Sequence, residues 1–201
     1  MKVLAISGSL RRESHNTALL RAAAARTPAG VELELWDGLK AVPPYDEDDD
    51  PSSERTAAET APAAVTALRS AIAGADAVLF STPEYNHSVP GALKNALDWV
   101  SRPVATSPLR NKPVAVVGAS TGIFGAVWAQ AELRKVLGSL GARVLDRELP
   151  VGQAATRVAA GGDFTDGEVL AQLDGVVEEL VMAVDARRES AAAAGGVRAA
   201  A

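Results

Sequence analysis

Residues 77–100, which read AVLFSTPEYNHSVPGALKNALDWV, decide the fold of this chain. The run Ala77–Phe80 is short and continuously apolar, a pattern typical of a strand buried on both faces of a parallel sheet. After a polar loop, Pro90 suits the first position of a helix. Apolar residues from Leu93 to Val100 then repeat at i, i+3, i+4 and i+7. The stretch therefore predicts a strand, a loop and a helix in succession.

The same alternation of strand and helix continues on both sides of this unit. Further strands are predicted at residues 3–6, 31–36 and 114–117, with a fifth beginning at 144, and further helices at 17–26, 62–73, 129–140 and 173–184. Strands alternating with helices predict an α/β protein whose parallel sheet carries helices on both faces. The 201 residues suit one such domain, which we place at 1–188, followed by a flexible Ala- and Gly-rich tail at 189–201.

The composition excludes several classes of function. The net charge of −5 argues against a protein that coats nucleic acid, because phosphate neutralisation needs clustered Lys and Arg. Since the chain has no cysteine, it has no disulfide or thiolate, and any redox chemistry must come from a bound cofactor. The first six residues do not form a signal peptide, and no apolar run approaches the roughly 18 residues of a membrane span. We therefore expect a cytoplasmic protein without membrane contact.

Three loops of unusual composition follow predicted strands, at residues 7–16, 82–90 and 118–125. In open parallel α/β sheets, ligands bind beyond the carboxyl ends of the strands, near the switch in strand order. We therefore expect the three loops to converge on one site.

The first loop, SGSLRRESHNT at 7–17, has the chemistry of a phosphate site. The first turn of the following helix offers free N–H groups and a partial positive charge. Short hydrogen-bond donors are present at Ser9, Ser14, Asn16 and Thr17, and Arg11 adds a charged pair of donors. The pattern is neither G-x-G-x-x-G nor a P-loop, which disfavours a classical NAD site and ATP. An ordinary capped turn remains the alternative.

The second loop places Tyr85 between Pro83 and Pro90. Two prolines stiffen the loop, which favours presentation of backbone amides and one ring to a planar ligand. His87 is expected to be exposed or to support the loop rather than to act as a general base. Glu84 is expected either to contact the ligand or to cap nearby backbone.

The third loop, GASTGIFG at 118–125, is small enough for its backbone to approach a ligand closely. Ser120 is not expected to be catalytic, because there is no G-x-S-x-G motif and histidines occur only at 15 and 87. The acidic run at 46–50 is expected to be a solvated loop rather than a cation site, since no ligand spacing accompanies it.

Together the loops resemble the NADPH-dependent FMN reductase family, a flavodoxin-like group that includes quinone, chromate and azo-dye reductases. The resemblance is carried by GSLR at 8–11 with Ser14 and Asn16, by PEYNHSVPGALKNALDW at 83–99 and by GASTG at 118–122. It covers about residues 1–185. It implies an α/β, flavodoxin-like three-layer sandwich with a five-stranded parallel sheet in the order 2-1-3-4-5.

The resemblance also implies bound FMN. The residues that would hold its phosphate are Ser9, Arg11, Ser14, Asn16 and Thr17; those that would line its ring are Pro83, Glu84, Tyr85 and Asn86, with Ser120, Thr121 and Gly122 at the ring's other edge. NADPH or NADH would deliver hydride to flavin N5, and a small acceptor (a quinone, flavin, azo or nitro compound, or chromate) would take two electrons in a ping-pong cycle. No catalytic side chain and no metal are implied.

A homodimer or homotetramer is implied as well, with the helix of 93–102 at the subunit contact. Trp99 would then lie near the surface, although a buried position within one subunit is equally compatible. Two other functions remain open, a flavodoxin-type electron carrier without catalysis and an interaction protein that binds no flavin. Arg11 and Arg12 in the first loop and the modest net charge favour the enzyme.

Overall fold

The computed structural model describes residues 1–54 and 58–199. The strands are β1 (Lys2–Ser7), β2 (Glu32–Trp36), β3 (Ala77–Thr82), β4 (Pro113–Ala119), β5 (Arg143–Val144) and β6 (Pro150–Val151). The helices are α1 (His15–Ala25), α2 (Ala63–Gly74), α3 (Gly91–Val100), α4 (Val127–Ser139) and α5 (Gly167–Ala199). None of these helices is both long and apolar enough to cross a membrane.

The strands form a parallel sheet in the order β2-β1-β3-β4-β5, which confirms the predicted topology. The fifth position is divided, because β5 pairs with the start of β4 and β6 pairs with its end. The intervening charged residues 146–148 leave the ladder, and Arg134 donates to the carbonyls of Asp146 and Arg147 at 2.9 and 3.1 Å. The single fifth strand predicted from the sequence is thus two short ones.

Alternation along the strands distributes the core between two layers of helices. Val3 and Ala5 of β1 pack in the cluster that includes α1 and α5. Leu4 and Ile6 point to the opposite face and pack in the cluster that includes α2, α3 and α4. The architecture is therefore a three-layer sandwich, as the period of two along a fully buried strand requires.

Several helix ends differ from the sequence prediction. Helix α1 begins at His15 rather than at 17, because Ser14 caps it by accepting a hydrogen bond from the Thr17 backbone N–H at 3.3 Å. Pro90 is the N-cap residue of α3 rather than its first residue. Helix α5 continues past Arg188, where the apolar stripe ends, because alanine favours helix without tertiary packing. The domain boundary at 188 and the flexibility of the tail stay predictions.

The connection after β2 is partly buried rather than fully solvated. Two 3₁₀ turns occupy Gly38–Ala41 and Glu47–Asp49, and Asp50 of the acidic run is buried. Burial by itself raises the pKa of Asp50, but hydrogen bonds from Ser52 and Tyr45 lower it overall. Within the described residues, no group of three or more His, Cys, Asp or Glu side chains is arranged so that it could hold a metal ion.

Trp99 is buried within the subunit, so the alternative of a surface tryptophan is wrong. Its indole N–H donates to the carbonyl of Pro43 at 2.9 Å. Its ring meets that of Tyr45 edge-on, with 4.8 Å between the centroids. Trp99 thus fixes the segment at Pro43 and Tyr45 against α3.

Candidate functional site

The three loops meet in one cleft of about 280 Å³ at the carboxyl ends of β1, β3 and β4. The lining residues are Ser9, Arg11, Ser14, His15, Asn16, Pro83, Glu84, Tyr85, Ala119, Ser120 and Thr121. The cleft therefore brings together residues from all three predicted loops. Thr17, Asn86 and Gly122, which the sequence also places in the site, are not among its lining residues.

The amino terminus of α1 forms the polar end of the cleft. The buried Ser14 accepts from Thr17, and the N–H groups of His15 and Asn16 lie in the first helical turn, where they have no acceptor within the helix. The positive end of the helix dipole and the guanidinium of the exposed Arg11 lie at the same end. This end of the cleft suits an anion.

Asn16 is committed to the fold through its side chain. Its Nδ2 donates to the carbonyl of Ala119 at 2.9 Å, while its Oδ1 accepts from the Ala119 N–H at 3.0 Å and from the Ser81 hydroxyl at 2.8 Å. These buried bonds join α1 to β3 and β4. An anion in the cleft would therefore meet the backbone N–H of Asn16 rather than its amide.

Thr17 also turns its hydroxyl toward the protein. Its Oγ1 donates to the hydroxyl of Ser7 at 2.9 Å, at the end of β1. This bond holds the first turn of α1 against the strand that precedes it. Together with Asn16, it fixes the position of the helix terminus before any ligand binds.

The second loop is a tight hairpin with Asn86 and His87 at its tip. The backbone N–H groups of Tyr85 and Ser88 each donate to the carbonyl of the other at 3.1 Å. Asn86 and His87 both have positive φ, 53° and 60°, as the two central residues of a type I′ turn require. Tyr85, at the base of the turn, is 52% exposed. Hydrogen bonds thus hold the backbone of this loop, while the ring of Tyr85 is exposed.

Two carboxylates attach this loop to α4, one from the loop itself and one from the helix. Glu84 accepts from the backbone N–H groups of Trp128 and Ala129 at 3.1 and 3.2 Å. Glu132 accepts from the Ser88 hydroxyl at 2.7 Å and from the Val89 N–H at 3.3 Å. Glu84 is therefore a helix cap, one of its two predicted roles. Sequence reasoning missed Glu132, because no local pattern connects a residue of α4 to a loop 44 positions earlier.

His87 supports an exposed aromatic row beside the cleft. Its side chain is 76% exposed, with Nδ1 3.6 Å from a carboxylate oxygen of Glu84. Its ring meets Trp128 edge-on at 4.9 Å, and Trp128 meets Phe124 at 5.0 Å. His87 is thus exposed and in contact with its own loop, as the sequence predicts.

The glycines of the third loop have different roles. A Cβ on Gly118 would lie 2.9 Å from the carbonyl oxygen of Thr82, and a Cβ on Gly125 would lie 2.4 Å from the carbonyl carbon of Pro150. These two glycines let the chain approach its own backbone rather than a ligand. A Cβ on Gly122 would meet nothing closer than the Ser120 hydroxyl at 3.8 Å. Only Gly122 therefore leaves unfilled space near the cleft.

Comparisons with known proteins found a matching family and similar proteins. Residues 1–156 match the sequence profile of the family described as NADPH-dependent FMN reductase. An NAD(P)H-dependent FMN reductase of Pseudomonas aeruginosa is 43% identical over 167 residues, which cover 83% of this chain and 85% of that protein. A quinone reductase of Escherichia coli is 39% identical over 147 residues, 73% of this chain and 74% of that protein.

A solved structure is similar over almost the whole length. The flavoenzyme NAD(P)H:(acceptor) oxidoreductase FerB of Paracoccus denitrificans superimposes with a TM-score of 0.78 and 34% identity. The alignment covers 92% of this chain and 98% of FerB.

Proposed function

Because this chain belongs to the NADPH-dependent FMN reductase family, we propose that it passes electrons from NADPH or NADH through bound FMN to a small acceptor. The observation that carries the proposal is the cleft at the carboxyl ends of β1, β3 and β4, where a site for an anion adjoins a stiff loop with an outward-facing ring. The proposal makes this chain an enzyme rather than an electron carrier or a protein that binds no flavin.

The residues of the cleft fit the two ends of FMN. The first turn of α1, with Ser9, Ser14 and Arg11 beside it, would hold the phosphate through N–H, hydroxyl and guanidinium donors. Asn16 would contribute its backbone N–H group, since its side chain binds the protein. Thr17 would support the turn, because its N–H donates to Ser14 and its hydroxyl to Ser7.

The other end of the cleft suits a flat ring. Backbone at Pro83–Asn86 would line one edge, held in place by the two carboxylates that bind α4. Ser120, Thr121 and the open space at Gly122 would accommodate the other edge. A polar end beside a stiff loop supports FMN as the ligand of this cleft.

The protein would contribute position and access rather than acid–base catalysis. When bound, FMN supplies the two-electron chemistry that links nicotinamide oxidation to acceptor reduction. Two backbone hydrogen bonds close the hairpin at Tyr85, and the exposed ring of Tyr85 leaves the cleft mouth open. One open mouth supports a ping-pong order, in which nucleotide and acceptor bind there in turn, and a quinone could take its proton from water.

The acceptor class that we propose is a quinone or another small planar oxidant. Relatives named as quinone reductases support this class. Free flavin, azo and nitro compounds and chromate are further candidates for the acceptor panel.

A homodimer or homotetramer is part of the proposal. Ile123, Phe124 and Trp128 are large apolar side chains that stay exposed in the single subunit. Exposed apolar groups close together are typical of surfaces that another protein covers. Multi-angle light scattering of the purified protein would give a mass of about two or four subunits, whereas a monomer at micromolar concentration would contradict this part.

An anaerobic titration tests the function directly. Protein loaded with FMN and separated from free flavin should lose its absorbance near 450 nm on addition of NADPH or NADH, and recover it when benzoquinone is added. Steady nucleotide oxidation with benzoquinone, without a second protein, should give parallel double-reciprocal lines. A protein that retains FMN but is not reduced by either nucleotide would be a carrier, and a protein that retains no FMN would refute the proposal altogether.

A further inference from the structure

His15 lines the cleft, and none of the roles given above uses its side chain. It is the first residue of α1 and directly follows the capping residue Ser14. It is half-buried, and Arg11 and Ser14 line the same cleft. His15 therefore lies at the end of the cleft that suits an anion, and its side chain is one that can gain or lose a proton near neutral pH.

The imidazole of His15 has no partner of its own in the described part of the chain. None of the hydrogen bonds that order the first loop and the first turn of α1 involves its ring. Within residues 1–54 and 58–199, no carboxylate lies within ion-pair distance of it. The only other histidine, His87, has a carboxylate oxygen of Glu84 at 3.6 Å. The ring of His15 is thus free to bind a ligand.

The charged surroundings of His15 come from the first loop, from α1 and from the second loop. The titratable residues that line the cleft or the adjacent pocket together with it are Arg11, Arg12, Glu13, Arg21, Glu84 and Tyr85. Residues 158–162, which form another wall of that pocket, carry no charge. The carboxylate of Glu84 already accepts two N–H groups of α4. The arginines therefore outweigh the carboxylates around His15.

The empty cleft disfavours the protonated form of His15. Burial, and then the positive charge of Arg11, lower its pKa, so the ring is mostly neutral at pH 7. A phosphate at the first turn of α1 would reverse the effect of charge. It carries about −1.5 to −2 charges at pH 7, which is more than the single positive charge of Arg11. The ring would then be attracted to a proton instead of being repelled from it.

We propose that His15 is a further ligand of the flavin phosphate and takes up one proton from solvent when FMN binds. The inference rests on the proposed function and adds a proton to the binding equilibrium. The imidazolium would donate a charged hydrogen bond to the phosphate, which is stronger than the bond that a neutral ring can donate. Because binding consumes a proton, the affinity for FMN should fall as the pH rises above neutrality.

Two other groups titrate near neutral pH and must be separated from His15. The phosphate of FMN has its second pKa at about 6, so that it is almost fully ionised above pH 7. Its protonation at lower pH weakens binding, which is opposite in sign to the effect of His15. Burial lowers the pKa of Lys112 to about 8, but Lys112 precedes β4 at the amino end of the sheet, away from the cleft. Measurements between pH 7 and 8.5, with variants of His15, therefore isolate the histidine.

Proton NMR of the parent protein tests the proposal without a change at the site. The chain has two histidines, and His87→Asn assigns their signals, since Asn tolerates the positive φ of His87. The pH midpoint of the His15 signal should rise by about two pH units when FMN binds, within the range of effect of a nearby opposite charge. The His87 signal should not move. Riboflavin, which has the same ring without the phosphate, should leave both signals unchanged.

Calorimetric titration of the flavin-free protein with FMN measures the proton and the affinity together. At pH 7, the binding heats in HEPES and in Tris should differ by the uptake of about half a proton or more. The affinity of the parent should fall about threefold from pH 7 to pH 8.5. His15→Asn should bind FMN at both pH values as the parent does at pH 8.5, and His15→Arg should keep the tighter binding throughout. His87→Asn is the matched control and should behave like the parent.

The other outcomes contradict the proposal. A His15 midpoint that does not rise on FMN binding would overturn it, and so would proton uptake that persists in His15→Asn. An equal rise with riboflavin would place the flavin ring, rather than the phosphate, beside His15 and would also overturn it. FMN bound tightly without proton uptake would refute this inference alone. A parent protein that binds neither flavin would instead refute the proposed function.

Discussion

The carboxylate of Glu84 lies 3.1 Å from the backbone nitrogen of Trp128 and caps α4 from a loop 44 residues away. A second bond, from the N–H of Ala129, completes the cap at 3.2 Å. The N-cap residue itself, Ala126, provides no side-chain acceptor. One residue of the candidate site therefore stabilises the fold and orients the hairpin at Tyr85.

Replacement of Glu84 should lower stability as well as function. We expect Glu84→Ala to reduce the free energy of unfolding by about 1–2 kcal/mol, because the charged cap at the positive end of α4 is lost. Glu84→Gln keeps an acceptor and should cost less than half as much. Urea unfolding of the flavin-free proteins measures both values. Equal stability of parent and Glu84→Ala would show that the cap is not made in solution.

Asn16 provides a test of structural against ligand-binding roles. Asn16→Ala should reduce the free energy of unfolding by about 3 kcal/mol, because it leaves the N–H and C=O of Ala119 without partners in a buried position. Ser81→Ala is the control that removes only one bond to the same amide, and it should cost about 1 kcal/mol. If Asn16→Ala unfolded at the same urea concentration as the parent but bound FMN weakly, the side chain would hold the phosphate instead.

Local sequence patterns predicted the sheet and the three loops because each depends on neighbouring residues. The apolar run Ala77–Phe80 must be buried wherever it lies, and a loop that follows a parallel strand must emerge at its carboxyl end. The sequence identified Ser14 only as a hydrogen-bond donor of the first loop, and the polar residues after it concealed where α1 begins. Features that depend on residues close together in the chain could therefore be predicted from the sequence.

Contacts between distant segments could not be predicted in this way. Glu132 binds the hairpin at Ser88, which lies 44 residues earlier in the chain. Residues 158–162 line the same pocket as Arg21, which lies some 140 residues earlier in the chain. Neither partner carries a local pattern that points to the other. The charged residues 146–148 likewise gave no sign that the fifth strand is divided, because that division depends on Arg134 of α4.

The carboxylate of Asp76, at the end of the sheet opposite the cleft, predicts that the free energy of unfolding depends on pH. Burial by itself would raise the pKa of Asp76, but hydrogen bonds from the Lys2 N–H and from Arg188, both at 2.9 Å, lower it overall. A lowered pKa in the folded state means that this contribution is present above about pH 4, the ordinary pKa, and is lost as the pH falls through the folded value.

Asp76→Asn should therefore cost about 1 kcal/mol at both pH 7 and pH 5, the scale of a partly exposed charge pair, and less as the pH falls below about 4. Urea unfolding of parent and variant at pH 7, 5, 4 and 3 gives the difference directly. The two proteins should converge at the acid end of the series. A constant difference from pH 7 to pH 3 would mean that the carboxylate charge contributes nothing.

Two glycines of the third loop should respond to alanine in opposite ways. Gly118→Ala should lower the free energy of unfolding by about 1–3 kcal/mol, because its Cβ would press on the Thr82 carbonyl and on Gln130. Gly122→Ala should change stability by less than about 0.5 kcal/mol, since no protein atom obstructs the new methyl group. It should nevertheless weaken FMN binding at least fivefold if the ring edge lies there. Unchanged FMN affinity in Gly122→Ala would place the ring elsewhere in the cleft.

Arg11 is the side chain whose removal most directly tests where the flavin phosphate lies. Arg11→Ala should weaken FMN binding to the flavin-free protein by about 1.5 kcal/mol, or more than tenfold, because a charged pair of hydrogen bonds to phosphate is lost. The loss should shrink as salt screens the exposed guanidinium. Quenching of flavin fluorescence gives both dissociation constants at 50 and 500 mM NaCl. Arg12→Ala, one residue further along the same loop but outside the cleft lining, should bind FMN like the parent. Equal weakening in the two variants would show a diffuse field of the basic loop, and no weakening in Arg11→Ala would remove the phosphate from the first turn of α1.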